Sequence, residues 1–213
     1  MGNVLPLLNR GFEPIIGKEA MVYLAYAVTD EPFRHQGLVS KAYDKFLEEA
    51  RQEARSEDFQ IKGHICEAHE GAEDFLNKKG YRRLYSKEKD GRLIEVPYVQ
   101  PPLRWNRQTG KAESASVPEH LMISLADGSN SVRGEKLMEY VRGIYDNNSY
   151  MWEEAFDEAN RDESYNVHER AIRKYANDIE SKVKGKEVVM LSHQEREQLQ
   201  GQGAVFVEHV TTV

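Results

Sequence analysis

The stretch Met21–Val28 (MVYLAYAV) holds no polar residue and is rich in β-formers. Such a run predicts a strand covered on both faces. Thr29-Asp30-Glu31-Pro32 ends it. From Leu38 to Ala54, apolar residues then recur at Val39, Tyr43, Phe46, Leu47, Ala50 and Ala54, in steps of three and four. Charges fill the other side at Lys41, Asp44, Lys45, Glu48, Glu49 and Arg51, so the spacing predicts an amphipathic helix.

Further along, Gln60–Cys66 alternates weakly and reads as a second strand. Gly71–Lys79 reads as a short helix closed by Gly80 at C′. Arg82–Ser86 and Arg92–Val99 read as a hairpin turning at Lys89-Asp90-Gly91. Composition shifts at Gln100-Pro101-Pro102, and Asn106–Ser116 reads as a linker. A strand is expected over His120–Leu125 and helices over Ser131–Tyr145, Ser149–Asn160 (Ser149 as N-cap) and Asn166–Lys184. Glu187–Leu191 and Ala204–Val210 read as closing strands.

The 213 residues carry a net charge of −7, which argues against binding a nucleic-acid backbone. No apolar run approaches the roughly eighteen residues of a membrane span. The opening Met-Gly-Asn-Val-Leu-Pro has neither a basic n-region nor an h-region, nor the Ser or Thr of a myristoylation signal at position 6. A cytoplasmic location is expected. Cys66, the single cysteine, excludes an internal disulfide. His64-x-Cys66-x-x-His69 has no partner cluster to complete a zinc site, so no metal is expected.

Chemistry concentrates at Arg34-His35-Gln36-Gly37-Leu38-Val39, between the first strand and the helix. A glycine there lets the backbone approach a ligand closely, and the free N–H groups of the helix make an anion site that suits a pyrophosphate. Val28 ending the strand, Phe33 as the aromatic, and Arg34, Gly37 and Val39 in the three signature slots resemble the acyl-CoA signature of the GNAT family of N-acetyltransferases. Val39 is bulkier than the Gly or Ala usual in its slot. A second block, His69-Glu70-Gly71-Ala72, then Phe75-Leu76 and Gly80-Tyr81, keeps another spacing of that family. The resemblance covers roughly residues 12–99.

The resemblance implies an α+β fold: a mixed, mostly antiparallel central sheet flanked by helices, followed by a mainly helical C-terminal extension. Residues 1–103 would be the acyl-CoA-binding core, 104–119 a linker, and 120–213 the extension with its short strands. It implies transfer of an acetyl or other acyl group from acyl-CoA, the co-substrate, to a primary amine on a small molecule or peptide. Pantetheine would pair with Ala27, Val28 and Thr29. Arg34, His35, Gln36, Gly37, Leu38, Val39 and Ser40 would hold the pyrophosphate, with Ala72 and Phe75 also against the cofactor. A backbone N–H near Val28 would polarise the thioester carbonyl. Glu67 is the leading candidate base, with Tyr26 and His64 as rivals, and His69, which stands where the family usually has asparagine, is a candidate for cofactor contact or proton transfer. Leu76 stands where many members have the tyrosine acid, and leucine cannot give a proton.

Only about twenty residues precede the first strand, too few for the elements the family places there. One expectation is therefore a permuted sheet with Ala204–Val210 beside Met21–Val28. The other is an independent helical extension or dimerisation arm, which would make a homodimer. No nucleic-acid or membrane partner is expected. The alternative function is a non-catalytic GNAT-like scaffold that binds CoA or a protein partner. A third is an assembly protein docking through its acidic helix Trp152–Glu163.

Overall fold

The computed structural model describes residues 2–6, 18–24, 37–101, 117–153 and 161–208. Strand β1 (Gly2–Pro6) runs antiparallel to β2 (Lys18–Leu24). Helix α1 (Leu38–Ser56) follows, then β3 (Phe59–Ala68), which lies parallel to β2 from Lys18↔Phe59 to Leu24↔Cys66. Residues 25–36 lie outside the description, including the last four residues of the expected first strand. Tyr43, Leu47, Ala50 and Ala54 form the buried stripe of α1, as their spacing requires.

A 3-10 turn (Glu70–Ala72) leads into α2 (Glu73–Lys78). Gly80, at φ +87°, ends that helix with Gly80 N–H on Asn77 O and Tyr81 N–H on Leu76 O, a Schellman pair that only a left-handed residue closes easily. Strand β4 (Arg82–Lys87) turns through Asp90-Gly91 into β5 (Leu93–Glu95), and β6 (Tyr98–Gln100) follows. Then come β7 (Val117–Leu125), β8 (Ser131–Arg133), α3 (Gly134–Glu153), α4 (Arg161–Val183), β9 (Glu187–Leu191), α5 (His193–Gly201) and β10 (Phe206–Val207).

These elements make an α+β fold with an open, mixed, mostly antiparallel sheet in the order β1-β2-β3-β7-β4-β5-β10. Strands β4 and β7 pair at only two positions, Arg82↔Ile123 and Arg83↔Met122. Beyond them they diverge, and the chain from β5 to β6 enters the gap: Tyr85↔Glu95 on one side, Tyr98↔Glu119 on the other. Strand β9 pairs with the remaining edge of β4 and carries β8.

Alternation on β2 explains its unbroken apolar run. Met21 and Tyr23 face one core with Ile65, Ile123 and residues of α3 and α4, whereas Val22 and Leu24 face another with Cys66, Met122, Tyr43 and Leu47. The first face is the α3/α4 face, the second the α1/α2 face.

Four expectations need correction. Ala204–Val210 does not lie beside Met21–Val28: β10 pairs with β5, at the far end of the sheet, although the C-terminal part does complete the sheet through β7, β8, β9 and β10. Ser131–Arg133 opens no helix, because these residues pair with Val189, Val188 and Glu187 as β8. Ser149 is not an N-cap, because α3 runs through it to Glu153. Helix α5 was not anticipated; its start is held by a capping box in which Ser192 Oγ accepts from Glu195 N–H and Glu195 accepts from Ser192 N–H. The expected linker Asn106–Ser116 lies outside the described residues, as do 154–160 of the acidic helix.

Candidate active site

Helix α1 ends where β3 begins, so its amino terminus lies at the opposite end of the parallel pair, with the carboxyl ends of β2 and β3. Gly37 caps it in the left-handed conformation (φ +72°, ψ 11°) without a side-chain hydrogen bond, and no acidic residue occupies the first turn. Among the described residues no side chain caps this end, and its leading N–H groups and the positive end of the helix dipole suit an anion. Of the expected cofactor loop, Gly37 and Leu38 are exposed and Val39 and Ser40 half-buried. Tyr26, Ala27, Val28, Thr29, Arg34, His35 and Gln36 lie outside the described residues. Ala72 and Phe75 pack on the α1/α2 core, where the Phe75 ring meets Tyr43 edge-on at 6.0 Å.

Glu67 sits near the end of β3, opposite Leu121 and on the α3/α4 face. Its Oε1 accepts the Tyr98 hydroxyl, its Oε2 accepts Gln100 Nε2 at 2.5 Å, and Tyr23 donates a third bond. Burial pushes this carboxyl above the ordinary carboxylate range, and the three bonds oppose that rise. Tyr98 is itself held by a stacked Tyr145 ring at 5.5 Å, and Tyr145 donates to Val99 O at 3.1 Å.

Glu119 of β7, which sequence reasoning missed, pairs with Tyr98 and faces the same side as Glu67. Its side chain is 4 % exposed and lies 3.2 Å from His69 Nε2. Burial raises its carboxyl, and the charges of His69 and Glu67 then act in opposite directions. The structure thus brings Glu67 and His69 together through Glu119. No local signal marks Glu119, because it sits where composition reads as linker.

On the opposite face, His120 Nδ1 lies 2.6 Å from Glu95 Oε1. Arg83 Nη1 is 3.6 Å from the same oxygen, and Arg83 Nη2 donates to Glu73 Oε2 at 2.6 Å. Arg196 of α5 donates to Glu73 Oε1 at 2.6 Å and to the Tyr85 hydroxyl at 3.2 Å. Leu76 is buried in the α1/α2 core. Cys66 is buried there too, its thiol pushed up by burial. Burial and the nearby Arg51 charge pull His64 down to about 4, so it is neutral near pH 7.

Comparison with protein-family models, curated proteins and solved structures found no match. Among the described residues, no group of three His, Cys, Asp or Glu side chains is placed to hold a metal ion. No helix among them is long and apolar enough to cross a membrane.

Proposed function

We propose that the chain is a GNAT-type, cytoplasmic N-acyltransferase that moves an acetyl or other acyl group from acyl-CoA to a primary amine. One observation carries this: the β2–α1–β3 unit puts a glycine-led helix amino terminus and a buried, proton-avid carboxylate at the same end of the sheet. The first suits the pyrophosphate of CoA. The second suits a base that takes a proton from an ammonium group, because a carboxyl raised toward working pH transfers protons more effectively than an ordinary one. The amine would attack the thioester directly, with no covalent enzyme intermediate.

A second reading is a CoA-binding scaffold without turnover. It is favoured by Leu76, whose place in the core leaves α2 no proton donor at that position.

Calorimetric titration with acetyl-CoA tests the first step. Saturable binding is expected, and Gly37→Glu should abolish it by setting a carboxylate at the helix terminus. A side chain at this φ costs about 1–2 kcal/mol, and its Cβ would meet nothing within 4 Å, so the fold should survive. No heat from the parent protein at millimolar ligand would reject both readings. Binding followed by amine-dependent thiol release would select the enzyme, and binding alone the scaffold.

A further inference from the structure

We infer that His120 is the acid that protonates the departing CoA thiolate. The inference rests on the acyltransferase reading and supplies the proton donor that Leu76 cannot be. His120 lies on β7 in register with Ala68, one residue beyond Glu67 on the neighbouring strand. Its ring points to the opposite face from Glu67, because its partner Glu95 is tied through Arg83 to Glu73 on α2. That is the face of α1, whose amino terminus would anchor the pyrophosphate. Base and acid thus flank one strand end from its two sides.

The hydrogen bonding fixes the role of each ring nitrogen. A carboxylate oxygen accepts only, so Nδ1 carries the proton shared with Glu95, and Nε2 is the nitrogen that exchanges protons. Glu95 is held in turn by Arg83, and both are nearly buried, so the ring cannot swing freely. The imidazole remains 23 % exposed, enough to be recharged from water.

In the step itself, Glu67 takes one proton from the ammonium and the free amine attacks the thioester carbon. As the C–N bond forms and the C–S bond breaks, the sulfur receives the electron pair. It takes the Nε2 proton of the His120 imidazolium, and the second nitrogen proton leaves to water.

Thiol release from acetyl-CoA, measured with a panel of an alkylamine, a polyamine and a lysine peptide, tests this on the full chain. His120→Ala should lower kcat roughly 10²-fold. Acetyl-CoA affinity should stay within about twofold, and added imidazole should restore turnover saturably, which a structural role would not allow. His120→Gln keeps a donor for Glu95 but cannot transfer a proton, so it should lose as much rate at unchanged Tm. Parent-like turnover in His120→Gln, or a loss of rate matched by a loss of acetyl-CoA binding, would overturn the inference and leave the acyltransferase reading intact. Absence of turnover in the parent protein with every amine overturns both.

Discussion

Arg83→Met is expected to lower the stability of the fold by about 3–5 kcal/mol, because it removes one partner of a buried ionic network and strands the others. The Arg83 side chain is 6 % exposed and lies between Glu73 and Glu95, each 9 % exposed. Methionine fills much of the same volume, so lost packing contributes little. Glu73 keeps Arg196, but among the described residues Glu95 is left with His120 alone. In a chain of this size that loss corresponds to a fall in Tm of about 6–20 °C, readable in a thermal or urea melt. A double variant, Arg83→Met with Glu95→Gln, should recover part of the loss, since it also removes the stranded charge. A loss under about 1 kcal/mol in the single variant would mean that water reaches the cluster.

Glu67→Gln is expected to reduce kcat by about 10²–10⁴ near neutral pH without destabilising the protein. The sign follows from linkage. The folded carboxyl holds its proton more tightly than the unfolded one, whose ordinary value is 4.5. As pH rises above that value, the folded state carries a growing penalty for ionising a buried group, so stability falls through the folded-state titration. Glutamine does not ionise, so the variant lacks this fall and should match or exceed the parent Tm at pH 7. The three donors to the carboxylate oppose the penalty, and part of their contribution is lost with the charge. A fall in rate at undiminished Tm would identify a chemical role. Parent-like turnover would move the base to Tyr26, His64 or a bound water.

What could be read from the sequence was local. Helix α1 was legible because Tyr43, Leu47, Ala50 and Ala54 repeat at helical spacing, and Gly80 was legible as a stop because few residues tolerate its φ. Glu67 could be singled out as a candidate from its place at a strand end. Helix α5 shows the converse: none of its residues is buried, so it has no apolar stripe, and only the Ser192/Glu195 box marked its start. Ser149 looks like a cap by residue type, yet α3 continues through it. Glu119 and His120 join the site through strand pairing over some fifty residues, which no short pattern encodes. The position of β10 was misjudged for the same reason.

Strand β7 lies between β3 and β4, yet its residues follow both in the chain. During synthesis, the facing edges of β3 and β4 therefore emerge with no strand between them, and the sheet closes only after Leu125 has been made. Until then each exposes unpaired backbone donors and acceptors that another chain can capture. Closure also brings together segments distant in sequence, the slow kind of step. A chain cut after residue 103 should accordingly form aggregates rather than a cooperatively melting domain, and a sharp melt from that fragment would contradict this. The late strand makes the first half dependent on the second for its solubility.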